Sequence, residues 1–182
     1  MADPEYPADT IEVIFPAPAI AERIDQLARS IADLRLDRLL VVAVLKGSFV
    51  FAADLIRALH RAGLSPEIDF LSLSSYREAT TSSGHVRVVR DIETDVSGRS
   101  VLIVDDILES GRTLIYARDL IVARGARQVL TCVLLDKPVA RPRGIAADLT
   151  AFQCPNVFVV GYGMDLAHRY RQLPFVGRIV RD

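Results

Sequence analysis

Three valine-rich apolar runs constrain this chain more than any other feature: LLVVAVL (39–45), SVLIVDD (100–106) and QVLTCVLLD (128–136). They lack the polar alternation of a sheet with one wet face, and fit strands buried on both faces of a parallel sheet. Parallel strands need crossover connections, and helical periodicity stands where the crossovers belong. Ile20, Ile24, Leu27, Ile31 and Leu34 form one apolar stripe. Phe51, Leu55 and Leu59 share the face of a helix that Ser48 is expected to cap and Gly63 to end, and a third helix reads from about Arg112 to Arg124 before Gly125. EIDFLSLSS (67–75) and VFVVGYG (157–163) read as further strands, and the polar stretch after residue 75 as a mobile loop leading into a hairpin-like strand near residues 86–89. The expected fold is α/β, a doubly wound parallel sheet with flanking helices, in one domain over residues 1–182.

Composition narrows the function classes. With 22 basic and 23 acidic residues the formal charge is −1, so no basic field draws in nucleic acid or an anionic membrane, and any bound anion needs a local site. Cys132 and Cys154 lack disulfide-framework or zinc spacing and read as reduced structural thiols. The acidic, proline-bearing N-terminus has no apolar signal core, and the run 39–45 is too short to span a membrane. A soluble cytoplasmic protein is the expectation. His60 and His85 read as solvated, and His168 lies near the candidate site without a role.

The chemistry concentrates in RSVLIVDDILESGRTLIYARDL (99–120). An open parallel sheet binds ligands beyond the carboxyl ends of its strands, where Asp105 and Asp106 are expected once VLIV stops. Just beyond, Glu109, Ser110, Gly111, Arg112 and Thr113 open a helix, whose free N–H groups and positive dipole end favour a phosphate. Gly111 permits close backbone approach, and the Ser110 and Thr113 hydroxyls add donors. Carboxylates accept hydrogen bonds from vicinal hydroxyls and hold divalent cations, so a phosphorylated sugar fits. The bland alternative is a capping serine beside two surface acids. The loop lacks the glycine–lysine ending of a P-loop, and residues 161–163 lack the third glycine of a dinucleotide fingerprint.

VLIVDDILESGRTL (101–114) resembles the phosphoribosyl-pyrophosphate motif of the type I phosphoribosyltransferases. VLKGSFVFAADL (44–55), SLSSY with TTSSG (72–84), and LLDKP with VFVVGYGMDLAHRYRQLPFVG (134–177) are similar to stretches of the family's hypoxanthine-guanine members, in the same order. The resemblance implies purine salvage: transfer of a phosphoribosyl group from phosphoribosyl pyrophosphate to a 6-oxopurine, giving IMP or GMP and pyrophosphate. It also implies a small hood, built from the N-terminal segment and about residues 137–182, and a homodimer or homotetramer.

Roles carried over residue by residue are as follows. The loop from Glu109 through Ser110, Gly111 and Arg112 to Thr113 holds the 5′-phosphate. Asp105 and Asp106 address the ribose hydroxyls directly or through Mg²⁺, and Asp165 is the Mg²⁺-linked acid near pyrophosphate. Lys46 and Gly47 form the pyrophosphate loop, with a non-proline cis peptide at Leu45–Lys46, and Arg171 also meets pyrophosphate. Phe158 stacks on the purine, Val159 reads its edge through backbone groups, and Lys137 donates to O6, which disfavours the 6-amino group of adenine. Ser75 and Tyr76 begin a lid loop. The family usually has Asp where this chain has Glu109, the carboxyl near N7 of the base proposed as general acid/base, so retained but slower or altered catalysis is expected. A different class is a regulator that keeps the fold but binds nucleotide and RNA or a partner, with Glu109 marking lapsed catalysis.

Overall fold

The computed structural model describes residues 10–75, 86–139, 141 and 145–180. Its main sheet contains β2 (Leu40–Leu45), β3 (Glu67–Ser75), β4 (Val86–Arg90), β5 (Ser100–Leu108), β6 (Gln128–Asp136) and β7 (Leu149–Gln153), in the order β4-β3-β2-β5-β6-β7. Only the β3–β4 pair is antiparallel. A three-stranded antiparallel sheet joins β1 (Thr10–Phe15), β9 (Val176–Val180) and β8 (Val159–Val160).

The unbroken apolar runs now have their reason. Alternate residues of each strand serve two different cores. Val41, Ala43, Leu102, Val104, Cys132 and Leu134 face α1 (Ala17–Asp33) and α2 (Phe49–Arg61). Leu40, Val42, Val44, Val101, Ile103 and Val133 face α3 (Arg112–Ala123). Leu102 is fully buried, so Leu102→Ala is expected to cost about 2–5 kcal/mol, the lost transfer energy plus the cavity. Both thiols are free and buried, and burial pushes Cys132 up to about 12, out of reach of thiolate chemistry.

Helix α1 also links the two sheets. Arg23 donates to Ala151 O at 2.7 Å and Thr150 O at 2.9 Å on β7, and Phe15 stacks on Phe152 with ring centroids 4.4 Å apart. Among the described residues no helix is long and apolar enough to cross a membrane.

Several expectations need correction. The acids do not follow their strand: β5 runs on to Leu108, pairing Ile107 with Leu135 and Leu108 with Asp136, so Asp105 and Asp106 lie within its last turn of ladder. Residues 157–163 supply only the two-residue β8, in the small sheet; the outer parallel strand is β7, whose short, partly polar LTAFQ carries a weak signal. Leu34 caps α1 from outside and is 48% exposed. Ser48 makes no side-chain cap, because its backbone is already αR; its hydroxyl donates to Val44 O at 2.6 Å, tying the turn back to β2. The expected mobile loop and His85 lie outside the described residues.

Candidate active site

The chain leaves β2 toward β3 on one side and β5 toward β6 on the other, so the sheet's topological switch falls between β2 and β5. Two loops leave the carboxyl ends of these neighbours and face each other. A cleft of about 580 Å³ opens there, lined by Lys46, Gly47, Asp105 and Asp106 together with the loop from Glu109 to Thr113. The first loop is held close. The Leu45–Lys46 peptide is cis, and a Cβ on Gly47 would fall 1.8 Å from Asp106 Oδ2, so any larger residue there must displace that carboxylate. Gly163 presses on the other side, where a Cβ would meet Gly47 O at 2.2 Å.

The second loop turns at Gly111, the residue preceding α3, with φ of 77°. A Cβ there would also strike Ile145 Cγ2, at 2.4 Å, so two independent constraints demand glycine. Ser110 Oγ accepts from Arg112 N at 3.4 Å. Arg112 and Thr113 open α3, leaving its first N–H groups toward the cleft.

Asp105 is buried and Asp106 partly so. The Asp106 N–H donates to Asp105 Oδ1 at 2.9 Å, and the Ile107 N–H to Asp106 Oδ1 at 3.0 Å. Burial pushes both carboxyls above their ordinary range; the neighbouring charge adds to the rise at Asp105, while Asp105 hydrogen bonding and the Arg171 charge restrain it at Asp106. Two crowded acids with so little cationic compensation suit a ligand that brings cations or hydroxyl donors.

Lys137 joins this cleft through Glu109. Its ammonium, on a side chain only 7% exposed, lies 3.4 Å from Glu109 Oε1. Arg141, which sequence reasoning passed over as loop, ties the same two segments together. It donates to Glu109 O at 2.6 Å and Leu108 O at 2.8 Å, and also to Lys137 O and the Asp136 carboxylate. No sequence signal distinguishes it from a solvated arginine; its role exists only once β5 and β6 lie side by side.

Asp165 and Arg171 form a 2.6 Å ion pair, Asp165 Oδ2 accepts the His168 N–H at 2.8 Å, and Arg171 also donates to Gly163 O. They approach the acids through the Gly163–Gly47 contact. Phe158 is 57% exposed and Val159 buried opposite Arg178; neither belongs to the described lining of the cleft. Ser75 ends β3, and Tyr76 lies outside the described residues. His60 and His168 are exposed.

The phosphoribosyl transferase domain profile matches residues 10–166. Hypoxanthine phosphoribosyltransferase of Escherichia coli K12 is 38% identical over 174 residues, covering 94% of this chain and 96% of that protein. The chain belongs to the hypoxanthine-guanine branch of the phosphoribosyltransferase family. Hypoxanthine-guanine phosphoribosyltransferase of Dictyostelium discoideum is 39% identical over 173 residues, 94% of this chain and 96% of that one. A crystal structure of the Bacillus anthracis hypoxanthine-guanine phosphoribosyltransferase superposes with a TM-score of 0.85 at 39% identity, covering 93% and 98% of the two chains. The hypoxanthine phosphoribosyltransferase of Trypanosoma cruzi reaches 0.89 at 36% identity over 97% and 95%.

Proposed function

We propose that the protein is a purine-salvage transferase that moves the 5-phosphoribosyl group of phosphoribosyl pyrophosphate to N9 of hypoxanthine or guanine. The observation that carries this reading is the convergence of Gly47, the Asp105–Asp106 pair and the Gly111 turn on one cleft at the topological switch. The turn from Glu109 to Thr113 receives the 5′-phosphate on backbone donors, Asp105 and Asp106 accept from the ribose diol, and Lys46, Gly47 and Arg171 hold the diphosphate. Loss of diphosphate leaves C1 with oxocarbenium character, so the substrate's groups must be fixed before the bond breaks.

Lys137 donates to O6 of the base while Phe158 and Val159 take its face and edge. The ion pair with Glu109 holds the Lys137 ammonium in place at the edge of the cleft. Glu109 receives or returns the N7 proton; its contact with Lys137 brings the longer glutamate stem to the base side of the cleft. Ser75 and Tyr76 start a lid that excludes water.

Mg²⁺ fits this donor set. It binds through one or two carboxylates plus substrate oxygens, and Asp105 with Asp106 offers that pair; Asp165 keeps lone pairs free on the diphosphate side despite its contacts to Arg171 and His168. Bound there, the ion supplies charge neutralisation for the diphosphate. The small sheet serves as a hood over one domain, in a cytoplasmic homodimer or homotetramer. The regulator reading finds no support among relatives, which carry transferase names.

The test is direct. Purified protein with Mg²⁺ and phosphoribosyl pyrophosphate is expected to form nucleotide from hypoxanthine or guanine and not from adenine. No nucleotide from hypoxanthine, guanine, xanthine or adenine removes the proposal.

A further inference from the structure

Beside the Gly47 loop the backbone is left-handed at three consecutive residues, Gly161 (φ 93°), Tyr162 (φ 51°) and Gly163 (φ 99°). The glycines have steric reasons: a Cβ on Gly161 would fall 2.2 Å from Phe175 O, and one on Gly163 the same distance from Gly47 O. Tyr162 has none. A bulky residue holds this conformation only where its surroundings over-determine it, and such places concentrate at functional sites.

Tyr162 is over-determined from two sides: its N–H donates to Leu173 O at 2.9 Å, and its side chain is anchored. The residue is 5% exposed, and its hydroxyl donates to Asp54 Oδ2 on α2. Burial and the Asp54 charge hold the phenol above its usual range, so it stays a donor. Asp54 is itself steadied by an ion pair with Arg57. Helix α2 begins directly after the Gly47 loop, and Ser48 ties that junction to β2. The turn is therefore pinned to one rigid piece at two points, by Gly163 on Gly47 and by Tyr162 on Asp54. Hanging from the turn are Arg171, which donates to Gly163 O, and Asp165, paired with Arg171 at 2.6 Å. The Glu109 to Thr113 loop and Lys137 are held separately, by Arg141.

We propose that the Asp54–Tyr162 hydrogen bond positions the diphosphate half of the site, holding Gly47, Asp165 and Arg171 in register without touching substrate. This rests on the assignment of those residues to pyrophosphate. Asp54 and Tyr162 are positioning residues, and their effect is selective. Loss of the bond loosens the turn and weakens every ligand carrying a diphosphate, while the base and the nucleoside monophosphate keep their sites.

The experiment compares Tyr162→Phe, Asp54→Ala and the double variant in both directions of the reaction, with thermal midpoints measured alongside. The expected result is a rise of about tenfold in KM for phosphoribosyl pyrophosphate and for pyrophosphate, the size for losing a hydrogen bond to a charged group. KM for hypoxanthine and IMP is expected to stay within about twofold, and the double variant to match the worse single one, because both substitutions remove one interaction. If Tyr162→Phe does not fold, Asp54→Ala, which removes the acceptor and is a good helix former, carries the test alone. Equal increases in all four constants, or a lowered thermal midpoint with unchanged constants, would overturn the proposal. An Arg171→Lys control separates the layers: a raised pyrophosphate KM there with none in the Asp54 and Tyr162 variants refutes the anchor, whereas an unchanged one refutes the diphosphate assignment itself.

Discussion

The floor of the cleft and the wall that backs its Gly47 loop are built in opposite ways. The floor is the carboxyl end of β2 and β5, where alternate residues bury into two cores and each strand keeps one parallel neighbour to its end, β3 beside β2 and β6 beside β5. The wall, residues 157–175, has a two-residue strand and two isolated bridges, Gly161 with Met164 and Leu166 with Arg169. Left-handed backbone recurs there at Tyr162, Ala167, His168 and Tyr170. Generic packing can set the floor, because any apolar residue of suitable size satisfies a two-sided strand. The wall depends on particular hydrogen bonds, so single polar changes there should act on function more than on stability.

The largest expected effect sharpens that contrast at the junction of floor and base. Glu109→Gln is expected to lower kcat about 10²–10⁴-fold, the range for a lost general acid/base, with the thermal midpoint nearly unchanged because Glu109 is exposed. Steady-state turnover with hypoxanthine measures it; unchanged turnover removes Glu109 from the chemistry.

Gly47→Ala comes next. The new Cβ would collide with Asp106 Oδ2, 1.8 Å away, and a loop shift near 1 Å costs about 10²-fold in kcat/KM. Gly63→Ala is the matched control: its φ is 87° but nothing lies within 4 Å, so it should cost stability alone. Parallel kinetics and melting of the two variants decide whether contact at the floor, rather than glycine loss in general, matters. Arg141→Met is expected to lower kcat/KM about tenfold by freeing Glu109 from Lys137, since one guanidinium holds both segments.

The smallest effect is on stability, and its sign is informative. Asp105 has a folded pKa raised above the ordinary 3.8. Its contribution is therefore fully present below that ordinary value and is lost as pH rises through the raised one. Asp105→Asn keeps the acceptor for the Asp106 N–H and removes the buried charge. Its thermal midpoint should equal that of the parent near pH 4 and exceed it by about 2–4 °C at neutral pH, for roughly 1 kcal/mol in a chain of this size, while activity falls. A variant that melts lower than its parent at neutral pH contradicts the burial argument. Calorimetry across the pH series reads it.

The same contrast explains what could be read in advance. The two-sided strands read at 39–45, 100–106 and 128–136, the α1 stripe and the Gly111 turn were legible, because apolar period and glycine chemistry are local. The end of β5 was not, since Asp105 and Asp106 look like a stop and stay in the ladder only through β6 pairing. β1, β7 and β9 escaped because they are short, and two of them pair across nearly the whole chain, Thr10 with Val180. Among site residues, the loop after β5 declared itself by its acids and small residues. Arg141, Asp54 and the Gly163 contact did not, because each acts on a partner that only the tertiary fold brings near.

The central claim is that the ends of β2 and β5 form the cradle for an activated ribose phosphate. A crystal structure with bound IMP tests it most directly. The account predicts phosphate density on the backbone between Glu109 and Thr113, the ribose diol against Asp105 and Asp106, and the purine O6 within hydrogen-bonding distance of Lys137. Nucleotide bound elsewhere, with that turn empty, contradicts it.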